Sequence, residues 1–366
     1  MDTQIAVLGA GAWGTAIGKV IAEKGKDVVI WSFEEETRDN INQKQENIRY
    51  LPDVTLPKTL RATSDISEAA EGKQFLIYAV PSMFLLDTLK KSLSLNSVRE
   101  GKTLISVITK GFLPSDNGPR LIVETMEDYL PGFFRKSLVY ISGPSHAEEV
   151  SRGKITGLIA ASENAKNAIR FRYLLKNPRL FVYSSLDIRG VQVAAAAKNV
   201  IAIAFGILEA IKSSAEQPRM DDREDRGYAE LLGDGTESLL LAAGLNEIQI
   251  LGRALGATHP ETFTSISGIG DLDVTCRSVH GRNRRFGREI IEKNILLSYN
   301  NIDDLLSRIG EVGYLPEGIA AAKYIRILAE RHNLKMPICV SLCKLLNREL
   351  EPMEFCKNLL IDWNLR

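Results

Sequence analysis

The chain has 366 residues but only four cysteines, Cys276, Cys339, Cys343 and Cys356. None forms a CxxC pair, and no His/Cys cluster has the spacing of a zinc site, so neither a disulfide framework nor a metal centre is expected. The cysteines read as free thiols in a reducing cytosol. Net charge is lacking as well: 46 basic residues balance 46 acidic ones. A general nucleic-acid binder would carry a basic domain, so that class is excluded and any anion site must be a local feature. The start, Met-Asp-Thr-Gln, leads directly into an apolar segment. It lacks a basic region and a cleavage pattern, so no secretory signal is expected and a cytoplasmic location is. One stretch, residues 191–211, has the length and composition of a membrane span. Lys198 and Asn199 near its middle and Glu209 near its end make a buried core helix the better reading, because a central lysine is costly in a bilayer.

Apolar material is not scarce. Hydrophobic residues make up 45% of the chain and charged residues 25%, ordinary for a globular protein, and the length suits two domains at about 150 residues each. Segments 4–9, 27–31, 75–80, 103–108, 138–141 and 157–160 read as short buried strands. Helical stretches such as 15–24, 82–93 and 121–129 lie between them. Strands alternating with helices imply βαβ units and a parallel sheet. From about residue 186 the texture changes to helical patterns at 188–212, 229–256, 284–293, 316–332 and 337–346. The expected architecture is α/β: a Rossmann-type parallel-sheet domain over residues 1–187, then an all-helical domain over 188–366. The charged segment 213–226 reads as a surface loop.

Gly9-Ala10-Gly11-Ala12-Trp13-Gly14 fits GxGxxG. The pattern gains weight from its context, directly after a strand and directly before a helix. Gly9 makes the tight turn, Gly11 lets backbone approach a pyrophosphate, and Gly14 lets helix pack on strand. The helix start then offers free N–H groups and a positive dipole. The second strand ends Trp31-Ser32-Phe33-Glu34-Glu35-Glu36. An acid here holds the ribose hydroxyls of NAD, whereas an arginine favours NADP. No arginine occurs before Arg38, so the reading leans to NAD, with NADP possible. The same glutamates also suit a helix start.

Lys198 stands in an apolar Ala/Val/Ile helix, where an ammonium needs a partner. It is either a salt-bridged structural lysine or a catalytic one, since burial lowers a lysine's pKa towards that of a usable proton donor. Lys110 follows a strand, at the end of an open sheet where ligands bind, and reads equally as a substrate contact or a solvated loop lysine. The turn Ser142-Gly143-Pro144-Ser145 could offer backbone amides to a ligand, a weak signal alone. Gly268-Ile269-Gly270-Asp271-Leu272 precedes a run with five arginines between positions 277 and 288. Such a cluster suits phosphate groups.

These motifs together resemble the NAD(P)-dependent glycerol-3-phosphate dehydrogenase family. The resemblance runs in order along nearly the whole chain: GAGAWGTA (9–16), NIRYLPDVTLP (47–57), AVPS (79–82), TKG (109–111), SGPSHAEEV (142–150), AAKNVIAIAFGI (196–207), LGATHPETF (255–263), GIGDLDVTC (268–276), GRNRRFG (281–287) and PEG (316–318). It implies reduction of dihydroxyacetone phosphate to sn-glycerol 3-phosphate, or the reverse, for phospholipid synthesis, by a homodimer. It further implies Lys198 as catalytic lysine, Lys110 as a second lysine on substrate and cofactor, and Asp271 as the carboxylate that orients the lysine. Substrate contacts carried over are Gly143, Ser145, Gly281, Arg282 and Asn283. Cofactor contacts are Gly9, Gly11, Ala12, Trp13, Gly14, Phe33, Ala147, Arg282, Leu315 and Glu317.

Three positions depart from the family pattern. Gly281 stands where many bacterial members have serine. Phe33 lies where a basic residue is common, which supports NAD over NADP. After the catalytic helix, Gly233-Asp234-Gly235-Thr236-Glu237 lacks the usual basic residue and places Glu237 near it. The altered region 213–237 as a whole, charged insertion included, is the one support for a rival reading, a weakened NAD-binding sensor that regulates. The other rival is a different two-domain hydroxy-acid dehydrogenase, which would not need the arginine cluster.

Overall fold

Eight short apolar segments pair into one sheet in the computed structural model, which describes residues 4–214 and 223–364. They are β1 (Gln4–Leu8), β2 (Asp27–Trp31), β3 (Leu60–Thr63), β4 (Phe75–Tyr78), β5 (Leu104–Val107), β6 (Val139–Ser142), β7 (Thr156–Ala161) and β8 (Leu180–Ser185). Their order is β8-β7-β6-β5-β4-β1-β2-β3. In β1, Ile5 to Leu8 are wholly buried, as a central strand covered on both faces must be. From β3 across to β6 the strands are parallel. The expected parallel sheet is found, with one antiparallel pairing at its far side. β7 pairs antiparallel with β6, Tyr140 opposite Ala161, and β8 follows β7 in parallel. The link from β6 to β7 carries only the five-residue helix Ala147–Ser151. This helix packs on α1 (Ala12–Ala22) instead of crossing the sheet, so the chain re-enters beside β6 running the other way.

The chain divides into two compact units: Met1–Leu113 with Arg120–Gln192, and Pro114–Pro119 with Val193–Arg366. The division falls inside α2 (Ile188–Ser214). Among the described residues the second unit contains helices and no strand. The helices used below are α3 (Asp234–Ala254), α4 (Asp271–Arg277), α5 (Arg282–Glu292), α6 (Gly318–Arg331) and α7 (Pro337–Leu346).

α2 is long and apolar enough to cross a membrane by length and composition, and its apolar stretch is wholly buried within the protein. Glycines on its neighbours permit that burial at short range. A Cβ on Gly287 of α5 would come 2.1 Å from the Ile203 carbonyl oxygen, one on Gly318 of α6 2.6 Å from that of Asn199, and one on Gly244 of α3 2.7 Å from the Ile201 side chain. Three helices thus touch α2 at backbone or near-backbone distance. Glu247 of α3, almost fully buried, accepts the Ile338 and Cys339 N–H groups at 2.7 and 3.0 Å, satisfying orphan donors at the start of α7.

Two expectations about this unit are corrected. The helix expected over 229–256 is interrupted: Arg223–Glu230 is one helix, and α3 begins only after Gly233, whose N–H donates to Thr236 Oγ1 at 3.1 Å. The loop expected over 213–226 is helical at both ends, since α2 runs to Ser214 and Arg223 opens the next helix; positions 215–222 lie outside the described residues. Within that short helix Ala229 is buried and the Tyr228 hydroxyl donates to the Cys356 carbonyl at 2.9 Å.

Candidate active site

In the first unit, β1 delivers the chain into the glycine turn. Gly9 has φ +127°, and a Cβ there would lie 2.8 Å from the Ala79 carbonyl group. A Cβ on Gly14 would lie 2.1 Å from the Gly9 oxygen, so helix and turn meet backbone to backbone. Gly11 is the opposite case, because a Cβ on it would meet nothing within 4 Å. The turn therefore opens at the residue expected to face a pyrophosphate. Gly11 is the N-cap of α1 and supplies no side-chain cap. The first helical bond runs from Thr15 N to Gly11 O, leaving the amides of Ala12, Trp13 and Gly14 without helical acceptors. An open side and an uncapped positive helix end fit a dinucleotide pyrophosphate.

Asn47 stands behind this turn, and sequence reasoning did not single it out. It is fully buried, and its Nδ2 donates to the Ala10 carbonyl and to Thr15 Oγ1, both at 2.7 Å. At the end of β2, Phe33 is 76% exposed. Ser32 Oγ donates to the Glu34 carbonyl at 2.8 Å, and the Tyr50 hydroxyl donates to Glu34 Oε1 at 2.6 Å.

Lys110 and Gly143 follow β5 and β6 at the same end of the sheet as Gly9. Beside Lys110, which is half-buried, Thr109 Oγ1 donates to the Val80 carbonyl at 2.6 Å. Gly143 has φ +152° and sits close under the Gly157 carbonyl. Ser145 Oγ donates to the Gly143 carbonyl at 3.0 Å, and Ala147, buried, opens the helix after it.

In the second unit, α2 carries Lys198 and α4 carries Asp271, 4% and 1% exposed. The Lys198 ammonium donates to Asp271 Oδ1 and, at 2.9 Å, to Thr275 Oγ1. Thr275, one helical turn after Asp271, in turn donates to the Asp271 carbonyl at 2.6 Å. The hydroxyl thus relays between ammonium and helix, a role the sequence did not announce. A buried lysine paired with a carboxylate and a hydroxyl is an ion pair whose desolvation is offset by hydrogen bonds, and it is strongly destabilised when one partner is removed.

The five arginines separate into two kinds. Arg277 pairs with Asp273 and Glu237, Arg284 with Glu209, Arg285 with Glu289, and Arg288 with Glu292 and Glu209. Arg282, exposed at the first turn of α5, has no ion pair among the described residues. Gly281 caps α5 without a side chain, and the first helical bond is Arg285 N to Gly281 O. The amides of Arg282, Asn283 and Arg284 are therefore left at a helix N-terminus that favours an anion. Asn283 is buried; its Nδ2 donates to Asn199 Oδ1 at 3.0 Å and its Oδ1 accepts the Gly318 N–H at 2.9 Å. Its side chain ties α2, α5 and α6 together. Leu315 and Glu317, both half-buried, precede α6, with Glu317 at its N-cap position.

Glu237, the departure in the family pattern, is answered locally. It accepts from Lys212 at 3.1 Å, and Arg277 lies 3.5 Å away. Both cations are shared, Lys212 with Asp234 at 2.6 Å and Arg277 with Asp273 at 2.9 Å.

Comparison with known proteins agrees with this geometry. Residues 4–168 match the family model for the N-terminus of NAD-dependent glycerol-3-phosphate dehydrogenase, and residues 187–357 match that for its C-terminus. A glycerol-3-phosphate dehydrogenase [NAD(P)+] from Treponema denticola is 52% identical, covering 98% of this chain and 99% of the relative. One from Bacillus velezensis is 37% identical over 94% and 90%. The crystal structure of glycerol-3-phosphate dehydrogenase from Coxiella burnetii superposes with TM-score 0.81 at 30% identity, covering 98% and 99%. The chain belongs to the NAD-dependent glycerol-3-phosphate dehydrogenase family.

Proposed function

We infer that this chain is an oxidoreductase interconverting dihydroxyacetone phosphate and sn-glycerol 3-phosphate with NAD(H) or NADP(H), and that Lys198 is its proton donor. The observation that carries the second statement is the buried Lys198–Asp271–Thr275 cluster. A bound nicotinamide supplies the hydride that reduces the ketone carbon. Lys198 gives its proton to the carbonyl oxygen as that oxygen becomes a hydroxyl, and recovers one from water. In the reverse direction it takes the proton back. Asp271 and Thr275 hold Nζ at a fixed point, which removes the orientational cost of the transfer.

The remaining roles are assigned residue by residue. Residues 1–187 form the dinucleotide-binding domain and 188–366 the substrate and catalytic domain. Gly9, Gly11, Ala12, Trp13 and Gly14 cradle the pyrophosphate, with Phe33, Ala147, Leu315 and Glu317 as further cofactor contacts. Lys110 adds positive charge near the developing alkoxide and contacts the cofactor. Gly143 and Ser145 contact the substrate through the turn after β6. Arg282 and the amides of the first turn of α5, beginning after Gly281 and including Asn283, take the substrate phosphate; Arg282 also reaches the cofactor. NADH is preferred. The chain works in the cytoplasm as a homodimer and supplies glycerol phosphate for phospholipid synthesis.

A substrate panel tests this. Dihydroxyacetone phosphate with NADH turns over, and 2-keto acids do not. Turnover confined to keto acids would support the hydroxy-acid dehydrogenase reading instead, and cofactor binding without turnover of any ketone would support the sensor reading.

A further inference from the structure

The first unit holds a small hairpin, strands Glu46–Asn47 and Leu51–Thr55, tied to the nucleotide turn at two points. Asn47 bonds the Ala10 carbonyl and the Thr15 hydroxyl beneath the glycine turn, and its Oδ1 accepts the Tyr50 N–H at 3.2 Å. The Tyr50 hydroxyl donates to Glu34 Oε1 at 2.6 Å, at the end of β2. Burial and the Glu34 carboxylate push the Tyr50 hydroxyl up to about 12, so it stays a donor at neutral pH. Between the two ties lie Ile48 and Arg49, both exposed. The Arg49 guanidinium lies 5.3 Å from the Tyr50 ring centroid, and it has no carboxylate partner among the described residues. Of the other cations near the end of β2, Arg38 is occupied by Asp39 at 2.8 Å and by Glu35 at 3.7 Å, and Lys91 lies over the Trp31 ring, 5.8 Å from its centroid.

The end of β2 therefore presents a carboxylate fixed by a tyrosine and an uncommitted guanidinium stacked on that same tyrosine. In a Rossmann sheet this end receives the adenosine ribose, where an acid takes the hydroxyls of NAD and an arginine the 2′-phosphate of NADP. This chain brings both to one place, and it does so with an arginine that is 15 positions past Glu34 in sequence. We propose that Glu34 and Arg49, held by Tyr50, read the 2′ position of the cofactor ribose. Glu34 keeps Oε1 on Tyr50 and accepts the 2′-hydroxyl of NAD(H) on its second oxygen. Arg49 leaves the ring to pair with the 2′-phosphate of NADP(H). The carboxylate repels that phosphate, so NADP(H) is accepted but more weakly. The assignment rests on the glycine turn being a dinucleotide site.

Fluorescence titration of the full chain with NADH and with NADPH tests it without reference to turnover. The unmutated chain binds both and prefers NADH. Arg49→Ala loses NADPH affinity by about tenfold or more, the size of one charge-assisted contact, and leaves NADH affinity unchanged. Glu34→Gln shifts the preference the other way, weakening NADH and tightening NADPH. If Arg49→Ala leaves the ratio of the two affinities unchanged, or lowers both in parallel, the assignment is overturned while the dinucleotide reading stands. If the unmutated chain binds neither nucleotide, both are overturned.

Discussion

Of five arginines clustered within a dozen residues, four are neutralised by carboxylates and Arg282 is not, among the described residues. Sequence alone marked the cluster as a phosphate site without ranking its members; three of the pairs, Arg277–Asp273, Arg285–Glu289 and Arg288–Glu292, lie one helical turn apart, whereas Arg284's partner Glu209 lies far away in the chain. Arg282→Ala is expected to lower kcat/KM for dihydroxyacetone phosphate by about one to two orders of magnitude, the worth of a charge-assisted contact to an anion. Unphosphorylated dihydroxyacetone, a poor substrate for want of that contact, should lose far less. Equal fractional losses on the two ketones would show that Arg282 acts elsewhere. Lys198 was legible because an ammonium in an apolar helix demands an explanation. Thr275 and Asn47 were not, since a threonine and an asparagine of that kind occur throughout any surface and nothing local distinguishes a buried one.

Elements were legible in proportion to their burial. The central strands β1, β2, β4 and β5 are mostly apolar and buried, with Ser106 of β5 a buried exception. β3 is a four-residue edge strand, and β8 alternates Leu180 and Val182 inside with Phe181 and Tyr183 half exposed outside, so neither stands out as a buried run. The reversal at β7 has no signature, because strand direction is not written in apolar patterning. α5 shows how an element is held by its charged side. Burial pushes the Glu289 carboxyl up, but hydrogen bonds from Tyr314, Lys293 and Arg285 together outweigh it and hold the carboxyl below its ordinary value. A carboxyl depressed in the folded state contributes stability that is present above its unfolded value of about 4.3 and is lost as pH falls through the folded value. Glu289→Gln should therefore lower Tm at neutral pH, by the equivalent of about 1.5–3 kcal/mol for charged hydrogen bonds. The gap between variant and parent should close in acid. A gap that persists at low pH would mean that packing, not charge, is what the substitution removes.

At the scale of the whole molecule, the two textures read from the sequence correspond to two compact units, a sheet with helices and a set of helices. The glycine turn, Asn47 and Tyr50 belong to the first unit, and the Lys198 cluster and Arg282 to the second. Pyrophosphate binding at the glycine turn and proton donation by Lys198 should then separate on mutation. Lys198→Ala strips buried Asp271 of its charge partner, at a stability cost of about 3–5 kcal/mol, so turnover has to be expressed per NADH-binding site and compared with the parent. The account predicts that the folded variant binds NADH as the parent does and reduces dihydroxyacetone phosphate about 10²–10⁴-fold more slowly, the loss of a positioned proton donor. Turnover at the parent's rate in that variant would contradict it.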